Sequence, residues 1–76
     1  ARRHFTAARD AFRRSIELDP SLAQSHRSLG QTLILLDDRE GAFQAWRRTI
    51  EIAPASRDAE RARNWLRSYN IPVPES

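Results

Sequence analysis

Phe12-Arg-Arg-Ser-Ile-Glu-Leu-Asp-Pro20 returns 34 residues later as Trp46-Arg-Arg-Thr-Ile-Glu-Ile-Ala-Pro54. Five of the nine positions are identical, and three more exchange similar side chains (Phe/Trp, Ser/Thr, Leu/Ile). Upstream, Ala8 and Ala11 return as Ala42 and Ala45. A fixed period of this size predicts stacked units, each burying its apolar face against the next. Such an architecture points to binding rather than to chemistry.

The 76 residues suffice for one thin domain. A chain so short buries only about 60–65% of the surface it exposes when unfolded. There is no cysteine, so neither a disulfide nor a thiolate site can staple it. All thirteen basic residues are arginine, against ten acidic residues, giving a net charge of +3. The simplest source of an all-arginine composition is a GC-rich genome. The longest apolar run, Leu33-Ile-Leu-Leu36, falls far short of the roughly 20 residues of a membrane-spanning helix. Ala-Arg-Arg-His-Phe at the start has no apolar stretch after its charges, so it does not read as a secretory signal. Together these point to a cytoplasmic location.

Prolines at 20, 54, 72 and 74 punctuate the chain. Phe5, Ala8, Phe12 and Ile16 have the spacing of an amphipathic helix. That helix should stop near Leu18 or Asp19, because the residue before a proline is pushed out of the helical region. Ser21 with Gln24 forms a capping box for a second helix, whose buried face is His26, Leu29, Leu33 and Leu36 beside Gly30. Asp37-Asp38-Arg39 makes the next turn. A third helix over 40–52 buries Ala42, Ala45, Trp46, Thr49 and Ile50. A fourth, over 57–69, is capped by Ser56 and carries Asp58 and Glu60 in its positive first turn. Its stripe is Ala59, Ala62, Leu66 and Tyr69. Two prolines at i and i+2 hold the tail, 71–76, extended. The expected fold is therefore all-α: four helices in antiparallel helix-turn-helix repeats, with no strand.

Between residues 26 and 54 the chain reads His26-x2-Leu29-Gly30-x2-Leu33, then Ala42-x3-Trp46, then Pro54. This resembles the tetratricopeptide repeat, W-x2-L-G-x2-Y, A-x3-F, P on a 34-residue period. Residues 21–54 would make one complete repeat. Residues 1–20 would supply the second helix of a truncated one, since Ala8, Phe12 and Pro20 are in register. His26 replaces the family's Trp and Leu33 its Tyr, which implies a lightly packed hairpin. After Pro54 the motif positions hold Glu60, Arg63, Asn64 and Arg67, so 55–70 resembles a capping helix, with 71–76 a tail or linker. Phe5, Ala8, Phe12 and Ile16 then lack one layer of cover, and burial of one Phe contributes about 1.5–3 kcal/mol. Either excision from a longer array or self-association through the N-terminal helix would supply it.

The resemblance implies a protein–protein interaction scaffold that grips a peptide or partner protein in a concave groove. Transferred to this chain, the groove residues are Gln24, Arg27, Gln31, Ile34 and Leu35, flanked by Arg61 and Trp65. Arg27 could fork onto a carboxylate and Gln31 bond a peptide backbone; a solvated helix face is the bland alternative. Trp65 lies off its helix's stripe, either to stack on a ligand or to pack under the Pro72–Pro74 tail. Arg13, Arg14, Arg47 and Arg48 repeat with the period as a convex ridge. A nucleic-acid-binding repeat could use that ridge on phosphates. The bland reading is favoured, because Asp10 precedes Arg14, and Glu17 and Glu51 follow Arg13 and Arg47, by four residues each. A third alternative is a docking or regulatory module of a larger enzyme. His26 falls at a buried motif position, where a packed imidazole is expected rather than a metal ligand. No nucleophile–base constellation, phosphate loop or metal motif is present, so no catalytic, metal or cofactor role is expected.

Overall fold

The computed structural model describes residues 2–73, and the expectations for Pro74, Glu75 and Ser76 lie outside them. Four helices follow one another: α1 (Arg2–Leu18), α2 (Ala23–Leu35), α3 (Arg39–Ile52) and α4 (Arg57–Ser68). Among the described residues there is no strand, and the fold is all-α. Contacts between helices run in pairs equidistant from the turn that joins them, which makes each pair antiparallel. Ser15 and Ser25 share a 2.9 Å hydrogen bond on either side of Pro20. Gly30 meets Trp46 on either side of Asp38. Trp46 and Trp65 stack at 5.1 Å on either side of the α3–α4 connection.

The core lies between α2, α3 and α4. Leu33, Ala42, Trp46, Ile50, Ala59, Ala62 and Leu66 form one buried cluster. Ala42, Ala59 and Ala62 occur where helices come closest, and Trp46, only 2% exposed, fills the space between them. A Cβ on Gly30 would stand 2.4 Å from Trp46 Nε1 and 2.6 Å from Cδ1. The absence of a side chain at position 30 is what lets the indole lie against the α2 backbone. At this point the α2–α3 hairpin is tightly packed, not lightly as the His26 and Leu33 replacements suggested. His26 is buried, and its Nε2 donates to the Pro20 carbonyl at 3.0 Å. The imidazole is thus a strut that closes the α1–α2 turn.

Helix ends follow local chemistry. Asp38 caps α3 by accepting from Gly41 N at 3.0 Å, and Ser56 caps α4 by accepting from Ala59 N at 3.1 Å. The expected Ser21–Gln24 capping box does not form. Ser21 donates both its N–H and its hydroxyl to Asp19 Oδ1, at 3.1 and 2.6 Å, in a local turn. Those two bonds stabilise the charged carboxylate and hold Asp19 below its ordinary pKa, the hydroxyl contributing most. With Ser21 so engaged, α2 starts one residue later, from Leu22, which offers no capping side chain. At the other end of α2, Asp37 adopts φ 63°; its N–H donates to Ile34 O, and Asp38 N donates to Leu33 O. Asn70 repeats the motif after α4 at φ 59°, with Ile71 N donating to Leu66 O. Both are left-handed terminations that satisfy the last helical carbonyls. The second ends α4 at Ser68, so Tyr69 lies just past the helix and is partly exposed.

Candidate functional site

α2 presents two nearly opposite faces, and each borders a concavity. On one side, Gln31, Ile34 and Leu35 of α2 stand across from Trp65 and Tyr69, with Trp46 at the floor. The recess has a volume of about 230 Å³. Four of the seven sequence-expected groove residues, Gln31, Ile34, Leu35 and Trp65, come together here. Trp46 and Tyr69 were missed as lining residues. Tyr69 follows Trp65 by one helical turn, a spacing that puts both on the same side. The aromatic group is continuous: the Phe43 and Tyr69 rings meet at a tilt of 57° with centroids 5.4 Å apart, and Tyr69 lies 6.1 Å from Trp46. Arg39 sits over the Tyr69 ring at 5.9 Å, within cation–π reach.

The remaining expected groove residues are placed differently. Arg27 is engaged: its Nε donates to Asp58 Oδ1, an ion pair joining the N-terminal half of α2 to the first turn of α4. The two side chains are only 13% and 28% exposed. Arg27 therefore acts as a tie between helices before it can act as a fork for a ligand. Gln24 and Arg61 are exposed, and neither lines the recess. Trp65 is half-buried against Trp46. It is Ile71 and Val73 of the tail, not Pro72, that pack on the core, and Pro72 is exposed.

On the opposite side, α1 and α3 both pack on α2, and their backbones do not approach each other closely. Between them is a wider cleft of about 420 Å³, with Leu29 and Leu33 of α2 as its floor. Arg13 and Arg48 of the expected arginine ridge line this cleft, whereas Arg14 and Arg47 do not, and the ridge's expected pairings are not formed. Asp10 bonds Arg9 at 3.1 Å rather than Arg14, and Glu51 lies 3.9 Å from Arg48 rather than pairing with Arg47. Glu17 makes no ion pair with Arg13. Pairs at i, i+3 and i, i+4 on an exposed helix differ by only a few tenths of a kcal/mol, so spacing alone does not select among them.

Among the described residues no cluster of three potential metal-ligating side chains occurs, and no helix is long and apolar enough to cross a membrane. Compared with known proteins, the chain matches no family model, no curated protein and no solved structure.

Proposed function

We propose that this chain is a tetratricopeptide-like segment that serves as a non-catalytic scaffold, holding a peptide of a partner protein in the recess between α2 and α4. The observation that carries this reading is the meeting of Gln31, Ile34, Leu35, Trp65 and Tyr69 around one open concavity floored by Trp46. The 34-residue echo supports the repeat reading, as does the packing order, in which α2 touches α1, α3 and also α4, one helix further on. That the α1 and α3 backbones do not approach closely is a departure from a tightly stacked array.

The chemistry suits an extended or helical peptide. Leu35 is 53% exposed, so an apolar side chain of a partner would cover it. The Trp65 and Tyr69 rings present flat apolar surface with little rotamer entropy to lose on binding. Gln31 carries both a donor and an acceptor for a peptide backbone. Arg27 contributes by holding the two walls in register through Asp58.

Selection from a displayed random-peptide library, followed by fluorescence-anisotropy titration, tests the reading. Peptides retained by the native chain should lose about tenfold or more in affinity on Trp65→Ala, since Trp is a typical binding hot spot, or on Leu35→Asp, which puts a charge where an apolar contact is expected. Equal affinity for the native chain and both variants would remove the recess as the binding site.

A further inference from the structure

The cleft on the far side of α2 is built differently from the recess. Its walls are α1 and α3, and its floor is apolar: Leu29 and Leu33, with Ile16 on the α1 wall. Arg13 and Arg48 line it from opposite walls. Arg14 and Arg47, their exposed neighbours, have no ion-pair partner among the described residues, and Arg48 has only the distant Glu51. Glu17, beside Arg13, is the one carboxylate that lines the cleft, leaving the rim positive.

We infer that this cleft is a second docking surface, separate from the recess, for an acidic amphipathic helix of a partner protein. Apolar side chains of that helix would seat on the half-buried Leu29 and Ile16, above the buried Leu33, while its carboxylates meet Arg13 and Arg48. Charge complementarity selects this occupant. A second copy of the chain, in which thirteen arginines outnumber ten carboxylates, complements the arginine rim less well than an acidic helix does. A nucleic acid would satisfy the arginines, but its backbone has nothing apolar to set against the leucine floor, which would stay wet or empty. A helix fits because α1 and α3 flank α2 on both sides of the half-buried Leu29, so that an incoming helix would lie between two walls. An arginine on each side can fork onto a carboxylate, so charge also fixes the orientation of the docked helix.

A fluorescein-labelled helical peptide of Leu, Ala and Glu, about four turns long so that one apolar stripe forms, is the probe. Its counterpart carries Lys in place of every Glu. The acidic peptide should raise the anisotropy at low salt, and the basic one should not. Arg13→Glu/Arg48→Glu should weaken the acidic peptide by about tenfold or more, the loss expected from reversing two rim charges. The milder Arg13→Gln/Arg48→Gln, with unchanged helical circular dichroism, should give an intermediate loss. Leu35→Asp, on the other side of α2, should leave binding unaltered. The inference is overturned by no binding of the acidic peptide, by equal binding of both peptides, or by binding that charge reversal leaves intact. It is equally overturned if single-stranded or duplex oligonucleotides bind more tightly than the peptide and lose that affinity in the same variants.

Discussion

At the residue scale, Gly30 and Trp46 are a single unit. An alanine normally improves a helix by up to about 1 kcal/mol over glycine. Here its Cβ would fall 2.4 Å from Trp46 Nε1, and the indole is enclosed on every side. The steric cost exceeds the gain in propensity, so Gly30→Ala is expected to destabilise the fold by roughly 1–3 kcal/mol in urea unfolding. Adding Trp46→Phe, which removes the five-membered ring that clashes, should cost less than the two single changes together. Simple additivity of the two would show that the contact is not the cause. Trp46 Nε1 also has no hydrogen-bond partner among the described residues. Close packing against Gly30 thus comes with an unsatisfied donor, a cost of order 1–3 kcal/mol that the burial of the large ring outweighs.

At the element scale, the ends of the helices explain what could and could not be read from sequence. Trp46, Ile50, Ala59, Ala62 and Leu66 were legible, because helical periodicity fixes which side chains share a face and these faces all meet. Asp38, legible as a turn residue, proves also to cap α3, whereas Ser56 was legible as a cap. Ser21 was not, because Asp19 offers a stronger, charged acceptor two residues away. Leu22 is left as the N-cap in an extended conformation that suits a capping residue, with φ −82° and ψ 98°. Leu22→Asp should therefore stabilise the chain by about 0.5–2 kcal/mol at neutral pH, the usual worth of a cap. An unchanged denaturation midpoint would contradict the assignment of α2's start. Helix α1 differs from the others in that none of its described residues is fully buried, and it packs on α2 alone. Its amide hydrogens should exchange well before those of α3, as a separate opening of lower free energy. Uniform protection across the four helices would show instead that α1 is cooperative with the core.

Over the whole molecule, the proposed function depends on how α2 and α4 are held, since they wall the recess but are not consecutive. Arg27 and Asp58 tie the N-terminal half of α2 to the first turn of α4, a link that spacing along either helix does not reveal. In a double-mutant cycle with Arg27→Ala and Asp58→Ala, a coupling of about 1 kcal/mol is expected, reduced by added salt. Zero coupling would mean that the core alone sets the spacing of the two helices. The partner of Trp65 was likewise hidden from sequence, because the stacking on Trp46 depends on the way α4 crosses α3. The recess was half-legible: Gln31, Ile34, Leu35 and Trp65 follow from the resemblance and helical spacing, whereas Trp46 and Tyr69 enter it only through the packing of separate helices. The most direct test of the scaffold reading is a ¹H–¹⁵N chemical-shift titration with a library-selected peptide. The Trp65 indole N–H and the Gln31 side-chain amide should shift most, with α1 little changed; both signals unmoved at saturation would contradict it.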